Sequence, residues 1–271
     1  MTSSVGAVVA ALERRYPPDL ASEWDAIGLV VGDPQATVTA VLFAVDPVMD
    51  VVDEAMAIGA DMIVAHHPLF LRGVHSVAPI TPKGRVVHTL IAHGIALYCA
   101  HTNADHARPG VSDALAAACG LVDTVAIDPW GDEVGTGRVG ELAETTTLAG
   151  LVDRLAEAVP ATEHGIRFAG DPESPVRTVA VCGGAGDSLL ETVGDRADVY
   201  VTGDLRHHRA QDHLAATGKA LVDVPHWAAE WLWLPDAAAV LQADLGADTV
   251  SASVSRIDTS PWTAHVGRKQ S

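Results

Sequence analysis

The sequence predicts an α/β fold made of two related αβ lobes, each with a mostly parallel sheet flanked by helices. Short segments rich in Val, Ala, Leu and Ile alternate with helical patterns along the chain, which is the order that builds parallel sheets. Of the 271 residues, 48% are hydrophobic, so the chain carries enough apolar surface to bury a large core. The order of segments in the first half also recurs in the second.

The first lobe shows the alternation of strands and helices most clearly. Residues 37–46 form an apolar segment typical of a buried strand, and residues 47–59 have helical spacing with Pro47 in the first turn. Gly59 then ends that helix. The other elements predicted in this lobe are a helix over 4–15 that stops at Tyr16-Pro17-Pro18, strands over 60–68 and 94–105, and a helix over 111–120.

The second half repeats this order closely enough to indicate an internal repeat. Residues 177–186 match the strand AVLFAVD, residues 196–204 match GADMIVAHH, and residues 218–226 match GIALYCAH. A helix is expected between each pair of strands. The second lobe should therefore contain the same three parallel strands as the first.

A loop rich in Asp, Gly and Pro, which runs to about residue 137, is the expected boundary between the lobes. We thus expect a single domain, 1–271, whose lobes span about residues 1–130 and 131–271. The links over 66–94 and 138–176 are long enough to add antiparallel strands to the sheets.

Charge and composition limit the classes of partner. The formal net charge of −18 repels phosphate backbones and anionic lipid, so we expect neither nucleic acid nor a membrane as a partner. The same charge attracts divalent cations, although it also serves solubility alone. Cys99, Cys119 and Cys182 lie far apart, and no apolar run reaches the ~20 residues that span a bilayer. These features predict a cytoplasmic protein without disulfides.

Two adjacent histidines, His66 and His67, directly follow the predicted buried strand ADMIVA. Neighbouring strand residues point to opposite faces, so both can face one site only if the strand breaks there, and Pro68 favours such a break. Two imidazoles at a strand tip can each bind a different metal ion among Zn, Fe, Ni, Co and Mn. By themselves they are equally consistent with a structural role.

Two further clusters supply carboxylates at strand tips. Asp105 closes His101-Thr102-Asn103-Ala104-Asp105 and is a metal-ligand candidate, while His101 is a candidate outer donor or acid/base group. His226 and Glu230 lie four residues apart at the start of a predicted helix, so they share a face and can reach the same metal cluster. Read alone, each cluster also fits an ordinary turn or helix start.

Together these residues predict a two-metal site held by His66, His67, Asp105, His226 and Glu230. Two cations about 3.5–4 Å apart activate water and stabilise a leaving oxygen, which favours a hydrolase. The expected substrate is a small phosphorylated or heterocyclic molecule such as a nucleotide, with His101 or His208 as proton carrier. The same ligands would equally serve a protein that stores or delivers metal, or a scaffold that uses metal only to hold its fold.

Several motifs together resemble the NIF-three-like family, whose members are also called GTP cyclohydrolase type 2 homologues or dinuclear metal centre hexameric proteins. They are WDAIGLVVGDP (24–34), AHHPLFLRG (65–73), HTNADHARPGVSDALA (101–116), GRVGEL (137–142), VTGDLRHH (201–208) and HWAAE (226–230). They run in the family's order through most of the chain. Ala26 stands where the family has Asn, and Ala104 where it has Leu; neither position is a ligand.

The resemblance implies the same five metal ligands, two divalent ions for each chain, and a two-sheet α/β fold. It also implies a toroidal homohexamer whose metal sites face an internal cavity. The spacing from Gly137 to Gly203 indicates that this chain lacks the inserted middle domain that some members carry. GTP ring opening is the activity after which the family is named.

Overall fold

The protein is described here by a computed structural model covering residues 2–267. Its strands are β1 (Ser3–Ser4), β2 (Gly28–Val31), β3 (Thr37–Val38), β4 (Ala40–Ala44), β5 (Met62–Ala65), β6 (Ala96–Cys99), β7 (Leu121–Val125), β8 (Asp128–Pro129), β9 (Gly135–Thr136), β10 (Arg138–Thr147), β11 (Arg167–Ala169), β12 (Pro175–Ala185), β13 (Val199–Gly203), β14 (Ala220–Asp223) and β15 (Ser251–Val254). Its α-helices are α1 (Val5–Arg15), α2 (Met49–Ile58), α3 (Pro82–His93), α4 (Thr102–His106), α5 (Val111–Cys119), α6 (Leu148–Ala158), α7 (Leu190–Val193), α8 (His207–Thr217), α9 (His226–Trp231) and α10 (Trp233–Leu245).

The described chain divides into two compact units. Unit 1 comprises residues 2–110 and 233–259, and unit 2 comprises residues 111–232 and 260–267. These limits differ from the boundary expected near residue 130. Helix α5 packs against β10 and β12 and so belongs to unit 2, whereas α10 packs against α1, β4 and β15 and so belongs to unit 1.

Unit 1 is built on a sheet with the strand order β15-β4-β5-β6-β2. Strands β15, β4, β5 and β6 are parallel, and β2 joins the edge of β6 in the antiparallel direction. The central strands β5 and β6 are buried along their whole length. Apolar side chains of β4, β5, α2 and α3 form one buried cluster, which fixes the sheet against its helices.

Unit 2 is built on a sheet with the order β11-β14-β13-β12-β10-β7. Strands β12, β13 and β14 are parallel, while β11, β10 and β7 pair in the antiparallel direction. Side chains of β12, β13 and α7 form its buried cluster with Ile127 and Leu221. Strand β13 is buried throughout, as β5 is in unit 1.

The predicted α/β fold and the repeated strand order are confirmed. In each unit three consecutive strands are parallel, and an antiparallel strand pairs with the third of them. The link over 138–176 does add antiparallel strands, β10 and β11. The link over 66–94 adds none among the described residues, because it continues as irregular chain into α3. Among residues 2–267, no helix combines the length and apolar character that a membrane span requires.

Candidate metal centre

His66 and His67 follow β5 where the strand ends. The backbone N–H of His66 donates to the Ala44 carbonyl at 3.0 Å, and that of His67 donates to the Val45 carbonyl at 2.8 Å. The pairing with the chain after β4 thus extends past both histidines. Their ring centroids are 5.1 Å apart, so the two adjacent side chains reach the same place. The side chain of His66 is fully buried, and that of His67 is 23% exposed.

The hydrogen bonds of both rings fix which nitrogen carries the proton. Nδ1 of His66 lies 3.0 Å from the Ala100 carbonyl oxygen, and Nδ1 of His67 lies 2.7 Å from Oδ1 of Asp46. These oxygens accept hydrogen bonds, so each Nδ1 carries the hydrogen and each Nε2 keeps its lone pair. Metal-binding histidines are oriented in this way by carbonyl or carboxylate partners.

His101 completes a group of three imidazoles. Its ring centroid is 5.2 Å from that of His66 and 5.5 Å from that of His67. One ring nitrogen from each of the three histidines lies within 4.8 Å of the others, a separation at which one ion could bind all three. The sequence indicated an outer or acid/base role for His101, and its geometry also suits a ligand.

Asp25 holds His101 in place. Its side chain is fully buried, and its Oδ1 accepts a hydrogen bond of 2.9 Å from Nδ1 of His101. The backbone N–H and the hydroxyl of Thr102 donate to the other oxygen. Burial opposes ionisation of Asp25, but the hydrogen bonds from His101 and Thr102 outweigh it and lower the pKa well below the usual range. Asp25 therefore remains a carboxylate.

Asp105 lies on α4, four residues after His101. Its Oδ1 is 3.7 Å from Nε2 of His66. Nitrogen ligands of zinc lie about 2.0–2.1 Å from the ion, so two ligands of one tetrahedral ion are about 3.4 Å apart. The observed separation is close to that value. Asp105 is thus placed to share an ion with His66.

Cys99, which ends β6 beside this group, does not supply a thiolate. Its Sγ donates to the backbone carbonyl of His66 at 3.2 Å. Burial raises the pKa of the Cys99 thiol far above its usual range, and the carboxylates of Asp25 and Asp105 raise it further. This agrees with the packing role expected from its apolar strand.

In unit 2, His226 and Glu230 lie on the first turns of α9. Nε2 of His226 is 2.9 Å from Oε1 of Glu230, whose side chain is only 4% exposed. Nδ1 of His226 is 2.8 Å from Oδ2 of Asp204. The hydrogen bond from His226 lowers the pKa of Asp204 against the opposing effect of burial. The imidazole is oriented by a carboxylate, as His67 is in unit 1.

Two backbone positions in the left-handed region shape this part of unit 2. Asp204 has a φ of +53°, a conformation that Asp tolerates better than most residues. Gly184 has a φ of +64°, and a Cβ there would lie 2.4 Å from Oε1 of Glu230 and 3.3 Å from Nε2 of His226. Glycine therefore keeps open a space beside both donor atoms that a side chain would fill.

His208, the other proposed proton carrier, lies in the first turn of α8 and is exposed. Its ring contacts that of His207 edge-on, with centroids 5.1 Å apart. Nothing in this position tests its role in catalysis, which stays a prediction.

The sequence reasoning gave no role to four residues at these strand ends. Asp46 and Asp204 orient histidines, Asp25 orients His101, and Gly184 leaves space beside Glu230. Each aspartate does stand at a strand end or in a recognisable motif. The histidine partners of Asp46, Asp204 and Asp25, however, are 21, 22 and 76 positions away in the sequence.

The residues present fit a divalent transition metal. Neutral imidazoles and carboxylates are the donors that Zn, Fe, Mn, Co and Ni accept, and in each unit these donors come together. Space for a small molecule adjoins both groups. A cleft of about 340 Å³ in unit 1 is lined by His67 and Asp46, and one of about 540 Å³ in unit 2 is lined by His226 and Asp204.

Comparison with known proteins gives consistent results. A family model described as Duf34/NIF3 (NGG1p interacting factor 3) matches residues 3–261. A protein of Streptomyces coelicolor named GTP cyclohydrolase 1 type 2 homolog is 52% identical over 266 residues, covering 96% of this chain and 93% of the relative. A Mycobacterium tuberculosis protein of the same name is 37% identical, with 100% of both chains covered. The crystal structure of a Bacillus cereus protein related to NIF3 matches with a TM-score of 0.89 and 26% identity, covering 96% of this chain and 99% of the other.

Proposed function

The chain belongs to the Duf34/NIF3 family, and on this premise we propose that it is a dinuclear metal-dependent hydrolase acting on a small nucleotide-like or phosphorylated substrate. The observation that carries the proposal is the fixed orientation of the histidines. Nδ1 of His66, His67 and His226 faces an oxygen acceptor, so Nε2 is the ring nitrogen that each histidine would direct at a metal ion.

The proposed ligands of two divalent ions are His66, His67, Asp105, His226 and Glu230. Mixed histidine and carboxylate donors suit Zn, Fe, Mn, Co or Ni, and Glu230 can give one oxygen to each ion. When bound, a pair of cations polarises water and stabilises developing negative charge on a leaving oxygen. That chemistry is what a hydrolase of this class requires.

The chain's own residues would orient the ligands and move protons. Asp46 and Asp204 hold the imidazoles of His67 and His226. His101 or His208 is the proposed proton carrier. The clefts beside His67 and His226 are large enough for a small substrate. Because relatives are named after GTP cyclohydrolase, guanine nucleotides are the first substrates to test.

The test is turnover by metal-loaded protein with a panel of nucleotides, GTP included, and simple phosphoesters. Glu230→Gln should lower kcat about 100-fold or more with little change in melting temperature, because it removes a charged ligand and preserves shape. Glu191→Gln is the matched control, since Glu191 lies in the same unit with its side chain 85% exposed. Full metal occupancy without turnover of any substrate in the panel would refute the hydrolase.

Metal delivery is the competing function, and partial exposure of the ligands favours it. The side chains of His67 and His226 are 23% and 29% exposed, so an acceptor could reach them. Exchange of bound Zn²⁺ or Fe²⁺ with an acceptor protein within seconds, in the absence of any hydrolysis, is the result that would support delivery.

We also propose that the protein is a homohexamer, as the family resemblance implies. Light scattering after gel filtration should then give about six times the chain mass of 28.1 kDa. A monomer or dimer at micromolar concentration would contradict it.

A further inference from the structure

We propose that the cleft beside His67 in unit 1 binds a flat apolar ring, so that the substrate is the phosphomonoester of an alcohol that carries an aromatic ring. The inference rests on the proposed hydrolase and narrows its substrate class. Hydrolysis of such an ester joins the oxygen of water to phosphorus, breaks the bond from phosphorus to the alcohol oxygen, and leaves that oxygen with a proton. The products are the free alcohol and inorganic phosphate.

The size and lining of the cleft are the first argument. It has a volume of about 340 Å³ and is lined by the first residues of α2 and α3 and by the chain that follows His67. Most of the lining residues are apolar, among them Val48, Met49, Leu69 and Val86. An apolar cavity of about 150 Å³ holds a benzene molecule. The cleft therefore has room for one ring or for two fused rings.

The polar groups of the cleft do not suit the edge of a purine, which is the second argument. Both carboxylate oxygens of Asp46 already accept hydrogen bonds, one from His67 and one from the hydroxyl of Thr259. The N–H and carbonyl groups of a guanine base lose their hydrogen bonds to water when they enter an apolar cleft. A ring without such groups has none to lose. The cleft thus favours an apolar ring over guanine.

The wall that α3 forms is held in one position. The hydroxyl of Thr81 accepts a hydrogen bond of 3.1 Å from the N–H of Gly84, and a Cβ at Gly84 would lie 2.0 Å from the Ala78 carbonyl oxygen. Glycine permits this close approach, which sets where the first turn of α3 lies. Leu69 and Val86 belong to the buried cluster of unit 1. The cleft is therefore preformed, and a ring can enter it with little rearrangement.

Lys83 supplies a positive charge at the exposed rim of the cleft. Its Nζ lies 5.9 Å from the centroid of the Phe70 ring, and within residues 2–267 it makes no ion pair. The chain as a whole has a net charge of −18, which repels anions. An ammonium group in the same cleft as His67 attracts a phosphomonoester against that repulsion. The apolar walls and the charge at the rim thus fit the two parts of one ligand.

The ratio of kcat/KM for benzyl phosphate to that for methyl phosphate tests the inference in the metal-loaded full chain. Benzyl and methyl alcohol are leaving groups of similar basicity, so the ratio reports binding of the ring. We expect a ratio of about 100 from burial of the phenyl group. Val48→Asp should lower the ratio at least tenfold, because it places a charge in the apolar lining. Val48 is the N-cap residue of α2, a position that Asp favours, so the fold should persist.

Val74→Asp is the matched control. Val74 is 49% exposed, against 39% for Val48, and it does not line the cleft, so this variant should keep the wild-type ratio. Val48→Thr takes the place of Val48→Asp if that variant does not fold. Thr preserves the shape of Val and also caps a helix, and its hydroxyl should lower the ratio about threefold.

Titration of the fluorescent ester 1-naphthyl phosphate into the metal-free protein tests the cleft without catalysis. Val48→Asp should weaken its binding at least tenfold. A benzyl-to-methyl ratio near one, an unchanged ratio in the folded Val48 variants, or turnover of nucleotides without turnover of either ester would overturn the inference and leave the hydrolase intact. No turnover of any ester or nucleotide at full metal occupancy would instead overturn the proposed function.

Discussion

In both units an aspartate at the beginning of the second parallel strand accepts hydrogen bonds from backbone N–H groups of the neighbouring strand. Asp61 precedes β5, and its Oδ2 accepts hydrogen bonds from the backbone N–H groups of Thr39 and Ala40 at 2.7 and 3.1 Å. Asp198 precedes β13 and accepts from the N–H groups of Arg177 and Thr178, both at 3.0 Å. In each case the carboxylate binds N–H groups at the start of the neighbouring strand.

At the opposite ends of the same strands the units diverge. Unit 1 has His66 and His67 directly after β5, and unit 2 has Gly203 as the last residue of β13 and Asp204 directly after it. The aspartate at the beginning of each strand therefore makes the hydrogen bonds that align the sheet. The residues at the end of each strand belong to the candidate metal centre. Because the two tasks are separated by the length of a strand, the units differ at the strand ends and still share the same alignment at the strand beginnings.

The largest effect should come from filling the space beside Glu230. Gly184→Ala places a methyl group 2.4 Å from Oε1, so the carboxylate must move, and we expect about a 100-fold loss in the affinity of the metal-free protein for Co²⁺. Isothermal titration calorimetry measures this affinity.

Gly218→Ala is the matched control for this substitution. Gly218 has a φ of +65°, close to the +64° of Gly184, and a Cβ there would meet no heavy atom within 4 Å. Both variants should lose about 1 kcal/mol of unfolding free energy from backbone strain. Equal metal affinity in the two would show that the space beside Glu230 has no part in binding.

A smaller effect is expected from the carboxylates that orient the histidines. Asp46→Asn and Asp204→Asn should each weaken metal binding about 10- to 100-fold, since the imidazole keeps its place but loses a charged partner. Isothermal titration calorimetry with Co²⁺ measures the loss. Asp50→Asn, at an exposed position of α2, serves as control, and wild-type metal affinity in both Asp46→Asn and Asp204→Asn would contradict the orienting role of these carboxylates.

The smallest effect is expected from substitution of Asp198, whose hydrogen bonds align strands in the sheet of unit 2. Burial opposes ionisation of Asp198, but hydrogen bonds from the Thr178 and Arg177 N–H groups and from Lys219 prevail and lower its pKa. A folded pKa below the unfolded value gives stability that is present above the unfolded value of 3.8 and lost as pH falls through the folded pKa. Asp198→Asn should therefore lower the unfolding free energy by about 1 kcal/mol at pH 7, allowing for solvent screening.

Urea unfolding at pH 7 and at pH values from 5 downwards measures this difference. The difference in unfolding free energy between the wild type and Asp198→Asn should decrease as pH falls. Protonation of Asp198 removes from the wild type the charged hydrogen bonds that the variant already lacks. A difference that stays constant at all pH values would mean that shape, and not charge, explains the effect.

Much of the fold could be predicted because the spacing of apolar residues and the recurring order of segments can be read directly from the sequence. Strand β5 and the turn after it follow from an apolar run that stops at His66, and α2 ends at Gly59 as its sequence indicates. The limits of the units could not be predicted, since α5 and α10 owe their membership to which sheet they pack against. Packing of this kind depends on residues far apart in the chain.

The candidate metal centre, like the fold, could be predicted only in part. His66, His67, Asp105, His226 and Glu230 could be chosen because donors at strand tips stand next to one another in the sequence. The orienting partners could not be chosen, because a contact such as His101 with Asp25 joins residues 76 positions apart. The role of Gly184 depends on a backbone angle and on the direction of one carboxylate, and neither leaves a sequence pattern.

The composition of unit 1 from two separate stretches sets an order of events during synthesis. Strand β15 pairs with the edge of β4, but all of residues 111–232 must leave the ribosome before β15 can leave it. At roughly 5–20 residues per second that interval is on the order of ten seconds. The nascent chain therefore carries an open, apolar strand edge next to the strand before His66 for that time, which is the kind of surface that chaperones bind and that aggregation begins from.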